Sequence, residues 1–146
     1  MFYLDTSVLV VALTVEAETR AVQQWLDQVS DDVRISDWTA AEFHAALGRK
    51  LRMKRIRPRQ AERIAALFEQ SFVSRRKCVQ VGRADFRRAG ELARSSATAL
   101  KAGDALHLAL AERASATLAS LDGDQARAAA TLLGRSLLLP QPVASK

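Results

Sequence analysis

Short apolar runs alternate along the chain with longer stretches in which apolar residues return at helical spacing. Residues 2 to 5 begin a short apolar strand, and Asp5 marks its junction with Ser7–Leu13, a segment too hydrophobic for an exposed surface helix. Between Glu16 and Val29, the positions Ala21, Val22, Trp25, Leu26 and Val29 predict an amphipathic helix that Ser30-Asp31-Asp32 ends. Val33–Ser36 predicts a strand. Ser36 or Asp37 can cap the next helix, which carries Glu42 in its first turns and leads into a basic segment at residues 49 to 59. Pro58 suits the first turn of a further helix, whose stripe is Ala61, Ile64, Ala65, Leu67, Phe68 and Phe72. Cys78–Val81 predicts a strand, broken near Gly82 before a helix over 84–94 and a loop over 95–101. A strongly apolar helix opens at Gly103 with Asp104 in its first turn, and its composition predicts burial. Thr117–Leu121 predicts a buried strand, Asp122-Gly-Asp a turn into a helix over 125–133, and Ser136–Leu139 a last strand before a tail at about 140–146.

This alternation predicts an α/β fold, a mainly parallel β-sheet flanked by α-helices. With 146 residues, 49% of them hydrophobic, a single domain over 1–146 has enough material for a core. A net charge of +6 and a pI near 10.2 favour a polyanionic partner, nucleic acid first. An anionic membrane is the weaker choice, because no apolar run approaches the roughly 20 residues of a spanning helix. The Met-Phe-Tyr-Leu-Asp start lacks the basic region and cleavage site of a secretory signal, so export is not expected. Cys78 is a lone cysteine without a zinc spacing around it, which agrees with a cytoplasmic protein.

Four acids carry the candidate chemistry: Asp5, Glu42, Asp104 and Asp122. Residues just past the carboxyl ends of parallel strands line the crevice that such sheets use for ligands, and Asp5 and Asp122 hold such positions. Glu42 and Asp104, near helix starts, can face the same edge. Carboxylates that converge repel one another unless protons or cations neutralise them, which points to a divalent metal. Taken singly, Asp104 or Asp122 is more simply a helix cap; the combination favours a site.

The order and spacing of Leu4-Asp5-Thr6-Ser7-Val8-Leu9, the helix bearing Glu42, Gly103-Asp104-Ala105-Leu106-His107 and Leu118-Ala119-Ser120-Leu121-Asp122 span almost the whole chain. In these elements it resembles PIN-domain ribonucleases, specifically the VapC toxins of bacterial and archaeal toxin–antitoxin pairs. The resemblance implies a catalytic and metal-binding centre of Asp5, Glu42, Asp104 and Asp122, with Thr6 or Ser7 supporting the first carboxylate or a water. Asp124 is the alternative fourth acid or an outer ligand; Asp122 ranks first. It further implies an endoribonuclease using one or two Mg²⁺ or Mn²⁺ ions to activate water, leaving 5′-phosphate ends, together with a cognate antitoxin and a homodimer. The stripe at Ala61, Ile64, Ala65 and Phe68 serves either a dimer interface or the core.

Other residues carry plainer expectations. Asp37, Asp85 and Glu91 are treated as caps or solvated charges, His107 as a packed structural histidine, Ser7 as a cap or metal support, and Trp25 as core, with Trp38 left open. Among the basic residues, Arg49, Arg52, Lys54 and Arg55 are candidates for RNA or antitoxin contact, and Arg75, Arg76 and Lys77 form a later cluster. The rival class is a catalytically silent PIN-like RNA-binding or assembly module; against it stands the retention of all four acids. A haloacid dehalogenase phosphatase would need a second Asp where the chain has Ser7.

Overall fold

A computed structural model describes residues 1–75 and 77–140, with Ser30 described by its backbone alone. Arg76 of the second basic cluster and residues 141–146 of the expected tail lie outside the described residues. In chain order the elements are β1 (Phe2–Leu4), α1 (Thr6–Leu13), α2 (Thr19–Val29), β2 (Val33–Ser36), α3 (Asp37–Arg52), α4 (Pro58–Phe68), β3 (Cys78–Val79), α5 (Arg83–Ala93), α6 (Ala102–Arg113), β4 (Thr117–Ser120), α7 (Gly123–Leu133) and β5 (Ser136–Leu138). The strands form one sheet in the order β3-β2-β1-β4-β5, with every pair parallel.

Helices cover both faces, which is why the strands read as nearly continuous apolar runs. Successive strand residues point to opposite sides. Tyr3 and Leu118 therefore pack with Leu92, Leu106, Leu108, Leu110 and Ala129 on the α5–α6–α7 side. Leu4 and Ala119, the next residue in each strand, pack with Val8, Leu9, Ile35, Phe43 and Phe68 on the other. As its composition predicts, α6 is buried, with every residue from Ala105 to Ala111 enclosed.

Several boundaries differ from the periodic pattern for local reasons. The second helix starts at Thr19 instead of Glu16: the Thr19 hydroxyl accepts the Glu16 N–H at 2.9 Å and lies 2.8 Å from the Val11 carbonyl, holding a turn there. The apolar stripe that starts in α4 leaves the α-helix at Phe68 and continues through a π-helical turn at Glu69–Val73. Phe72 thereby stacks beneath Phe68 at 6.0 Å, and Phe68 stacks on Phe43 at 4.3 Å. Phe68 is buried in this core, and Ala61, Ile64 and Ala65 pack against it while remaining partly exposed. β3 keeps only two of its four expected residues, and a short edge strand offers little template for sheet-to-sheet pairing. α7 begins at Gly123, two residues early, because Asp122 caps it. Trp25 packs edge-on against Phe2, with ring centroids 5.2 Å apart.

Asp85 is a cap, as expected, but not a solvated surface charge. It is 4% exposed, accepts the Gly82 N–H at 2.8 Å at the start of α5, and pairs with Arg113 of α6 at 2.7 Å. Together with the Arg88–Glu112 pair at 2.7 Å, it fastens α5 to α6. Among the described residues no helix is long and apolar enough to cross a membrane. Leu108, fully buried on α6, tests the packing: Leu108→Ala should lower unfolding free energy by about 2–5 kcal/mol in urea titrations.

Candidate active site at the carboxyl end of the sheet

The strand order reverses direction at β1, where the chain has gone one way to β2 and the other to β4. Strand ends splay at such a point and leave a crevice. Here the crevice is a cleft of about 520 Å³ lined by Asp5, Thr6, Ser7, Glu42, Arg49, Arg52, Asp104, His107, Asp122 and Gln125. The four acids thus meet in one cleft although 117 residue numbers separate Asp5 from Asp122.

Asp5 leaves β1 and caps α1. It is 4% exposed and fully engaged: the Ser7 hydroxyl donates to Oδ1 at 2.5 Å, the Ser120 hydroxyl donates to Oδ2 at 2.6 Å, and the Val8 N–H approaches Oδ1 at 3.4 Å. Each serine also accepts a backbone N–H from the end of β4, Ser7 from Leu121 and Ser120 from Asp122, both at 2.9 Å. The two hydroxyls therefore stitch β1 to the β4–α7 turn through one carboxylate. Burial pushes the Asp5 carboxyl above its ordinary range despite these donors.

Glu42 lies on α3, which Ser36 and Thr39 start with reciprocal side-chain and backbone hydrogen bonds. Thr6 donates to its Oε2 at 2.5 Å, and His107 Nε2 lies 2.7 Å from the same oxygen. Burial alone would raise the Glu42 pKa, but these donors outweigh it and hold it low. Thr6 and Ser7 thus divide their support, one serving Glu42 and the other Asp5. His107, 3% exposed, is packed as expected, yet its other nitrogen is 3.1 Å from the Tyr3 hydroxyl, so it joins the cleft to the core.

Asp104, the third residue of α6, is not the helix cap and makes no hydrogen bond among the described residues. Partial burial raises its pKa, and the charges of Asp122 and Glu42 add to that effect. Asp122 does cap α7, accepting the N–H groups of Asp124 at 2.8 Å and Gln125 at 3.2 Å through Oδ1. Asp124 stands outside the cleft, solvent-exposed and paired with Arg127. Of the four basic candidates, Arg49 and Arg52 reach the cleft from the last turn of α3. Lys54 and Arg55 do not line it; Arg55 lines a separate pocket with Glu16 and Lys50.

Trp38 packs under the start of α6, where a Cβ on Gly103 would come within 3.3 Å of its ring and 3.4 Å of Glu42 Oε1. Its position is that of a packing residue. Pattern reading missed Tyr3, Ser120 and Gln125. Tyr3 reads as a strand apolar residue, whereas Ser120 was legible as a hydroxyl inside an otherwise apolar strand. The buried Gln125 amide lies 3.1 Å from Ser120 Oγ, a contact only the folded turn creates.

The donor set fits a hard divalent cation, since it consists of carboxylate oxygens. Among the described residues no three His, Cys, Asp or Glu side chains are placed to grip one ion together. Mg²⁺ does not require that, because it retains several waters and uses one or two carboxylates plus substrate oxygens.

The PIN-domain family model matches residues 2–131. Among solved structures, FitAcB from Neisseria gonorrhoeae is 22% identical with a TM-score of 0.73, covering 98% of this chain and 100% of its own. VapC20 from Mycobacterium tuberculosis, described as a sarcin–ricin loop cleaving toxin, is 20% identical with a TM-score of 0.69, covering 88% and 95%. VapBC2 from Rickettsia felis, bound to a promoter DNA fragment, is 17% identical with a TM-score of 0.65, covering 84% and 89%. At these identities the likeness is one of fold. No curated protein sequence matches the chain.

The raised pKa of Asp104 makes a signed prediction. Between the ordinary value of 3.8 and its native value, the folded state holds more protons than the unfolded, so this carboxyl costs stability as pH rises through that window. In EDTA, Asp104→Asn should melt at a higher temperature than the parent at pH 7, and the difference should vanish below the ordinary value. Thermal melts across pH check it.

Proposed function

The chain belongs to the PIN-domain family, and from that premise we propose that it is a metal-dependent endoribonuclease toxin, hydrolysing RNA phosphodiester bonds and held inactive by a cognate antitoxin. The observation that carries the reading is the meeting of Asp5, Glu42, Asp104 and Asp122 in one cleft, with Arg49 and Arg52 among its lining residues. The sarcin–ricin loop cleavage ascribed to VapC20 supports RNA as the substrate class.

In this reading Mg²⁺ or Mn²⁺ would be held by one or two of Asp5, Glu42, Asp104 and Asp122 directly and by the others through its waters. When bound, the cation supplies Lewis acidity that makes water more acidic and offsets charge on the phosphate. The chain's own residues do the rest. Arg49 and Arg52 draw the backbone phosphates toward a cleft that would otherwise repel them. Thr6 and His107 keep Glu42 ionised, and Ser7 and Ser120 hold Asp5 in place. Asp122 is preferred over Asp124 as the fourth acid, since it lines the cleft with the other three, whereas Asp124 pairs with Arg127 in an adjoining pocket that Asp104 also lines.

The antitoxin follows from likeness to VapC toxins, and cytoplasmic residence agrees with an RNA target. The homodimer is implied by the family resemblance, and the partly exposed Ala61, Ile64 and Ala65 of α4 are open to such an interface. One observation favours the silent-module alternative: Asp5 and Asp122 both serve as helix caps, a purely structural use of two of the four acids.

Mapping of new 5′ ends in cellular RNA separates the two. Cleavage should require Mg²⁺ or Mn²⁺, stop in EDTA, and fall in Asp5→Asn and Asp104→Asn by more than the roughly 10–100-fold typical of outer-shell partners. Exposed Glu91, paired with Arg88 away from the cleft, is the matched control, and Glu91→Gln should cleave normally. Metal-dependent ends in none of the active proteins would favour the silent module. Independently, Mn²⁺ at 100 times its Kd should stabilise the parent by about 2.7 kcal/mol and Asp104→Asn by less. Replacing both Arg49 and Arg52 by Ala should weaken RNA binding and flatten its log–log salt slope by about 0.7 for each lost phosphate contact. An unchanged slope would place the RNA path elsewhere.

A further inference from the structure

We propose that His107 is a positioning residue, held by Tyr3 in the tautomer with hydrogen on Nε2, and that it aims one oxygen of Glu42 at the start of α6. The consequence for catalysis rests on the nuclease reading; the tautomer and the geometry do not.

The direction of the hydrogen bonds is set at Glu42: its carboxylate can only accept, so the imidazole nitrogen facing it carries the hydrogen. Ser36 Oγ accepts the Thr39 N–H and Thr39 Oγ1 accepts the Ser36 N–H, each at 3.2 Å. Both hydroxyls thus have an acceptor position filled by backbone, and they stand 2.7 Å and 3.1 Å from the Tyr3 oxygen. They also stand 3.2 Å from each other, so either can donate to its neighbour or to Tyr3, while the single phenolic proton of Tyr3 meets a bare acceptor at His107 Nδ1, 3.1 Å away. Nδ1 is then the acceptor and the ring hydrogen sits on Nε2, which faces Glu42 Oε2 at 2.7 Å.

Thr6 donates to that same Oε2 at 2.5 Å. Two donors from separate elements, one on α1 and one on α6, therefore hold a single oxygen of Glu42. The other oxygen, Oε1, accepts no hydrogen bond among the described residues and lies 3.4 Å from the point where a Cβ would stand on Gly103, next to Asp104. The lack of a side chain at Gly103 leaves room for it. Tyr3, Ser36 and Thr39 are all fully buried, so the chain of bonds is anchored in the core and not in solvent. His107 is also the one polar side chain in the enclosed run of α6 from Ala105 to Ala111.

The first test is the two-bond ¹H–¹⁵N correlation spectrum of the imidazoles in the metal-free protein. His107 should show a hydrogen-bearing Nε2 and a bare Nδ1, and Tyr3→Phe, which removes the phenolic donor, should erode that pattern. A hydrogen-bearing Nδ1 in the parent overturns the proposal. The second test separates aiming from packing. His107→Leu should weaken Mn²⁺ binding roughly 10–100-fold and lower kcat while leaving KM for RNA unchanged, and His107→Gln, which retains an N–H donor, should recover most of both. Equal Mn²⁺ affinity in folded Leu, Gln and parent proteins overturns it. Should His107→Leu fail to fold, Tyr3→Phe and His107→Gln carry the comparison. If even the parent cleaves nothing, the nuclease reading falls, and the tautomer and Mn²⁺ affinities still decide the role of His107.

Discussion

One buried carboxylate holds the working end of this domain together. Asp5 sits where β1 stops, and the hydroxyls of Ser7 and Ser120 reach it from the two sides of the gap between β1 and β4. Burying an ionised group without partners is costly, whereas hydrogen bonds to a charged acceptor contribute roughly 1.5–3 kcal/mol each. The same serines receive the N–H groups of Leu121 and Asp122, so satisfying Asp5 also sets the path of the chain out of β4 and the place of Asp122. The strand end, the cap of α1 and the start of α7 are consequences of one local solution.

Around that anchor the acids are compensated unequally, and the inequality is informative. Glu42 is held ionised by Thr6 and His107, and Asp5 is bonded on both oxygens. Among the described residues Asp104 has no hydrogen-bond donor, and burial together with the charges of Asp122 and Glu42 raises its pKa against the smaller opposing effects of His107 and Lys101. A cation would relieve that repulsion most directly there. Arg49 and Arg52 do two jobs from the last turn of α3: they oppose the negative end of that helix and bring positive charge to the acidic cleft.

Similar carboxylates elsewhere show that charge alone does not make a site. Asp85 is as buried as Asp5, yet its oxygens go to the Gly82 N–H and the Arg113 guanidinium, neutralised locally and used to fasten α5 against α6. Asp124 differs from Asp122 by two positions and does not line the cleft; it pairs with Arg127 and lines an adjoining pocket with Asp104 and Gln125. What separates the cleft acids from these is the mutual proximity of unneutralised carboxylates at a point where strand ends diverge.

Much of this was legible in the sequence because helices, strands and caps depend on near neighbours. The apolar run of α6, the Ser36 cap, Pro58 at the start of α4 and the acids following β1 and β4 all announce themselves within a few residues. The sequence thus determined the α/β alternation and the candidate acids. Tertiary structure alone decided that Glu42 meets His107 across 65 positions, that Ser120 meets Asp5 across 115, that Asp85 is buried, and that Arg52 faces the cleft while Arg55 does not. The physical reason is that local periodicity assigns each residue a face, whereas convergence depends on the strand order. That order is set by burying both faces of the sheet at once, through contacts between segments far apart along the chain.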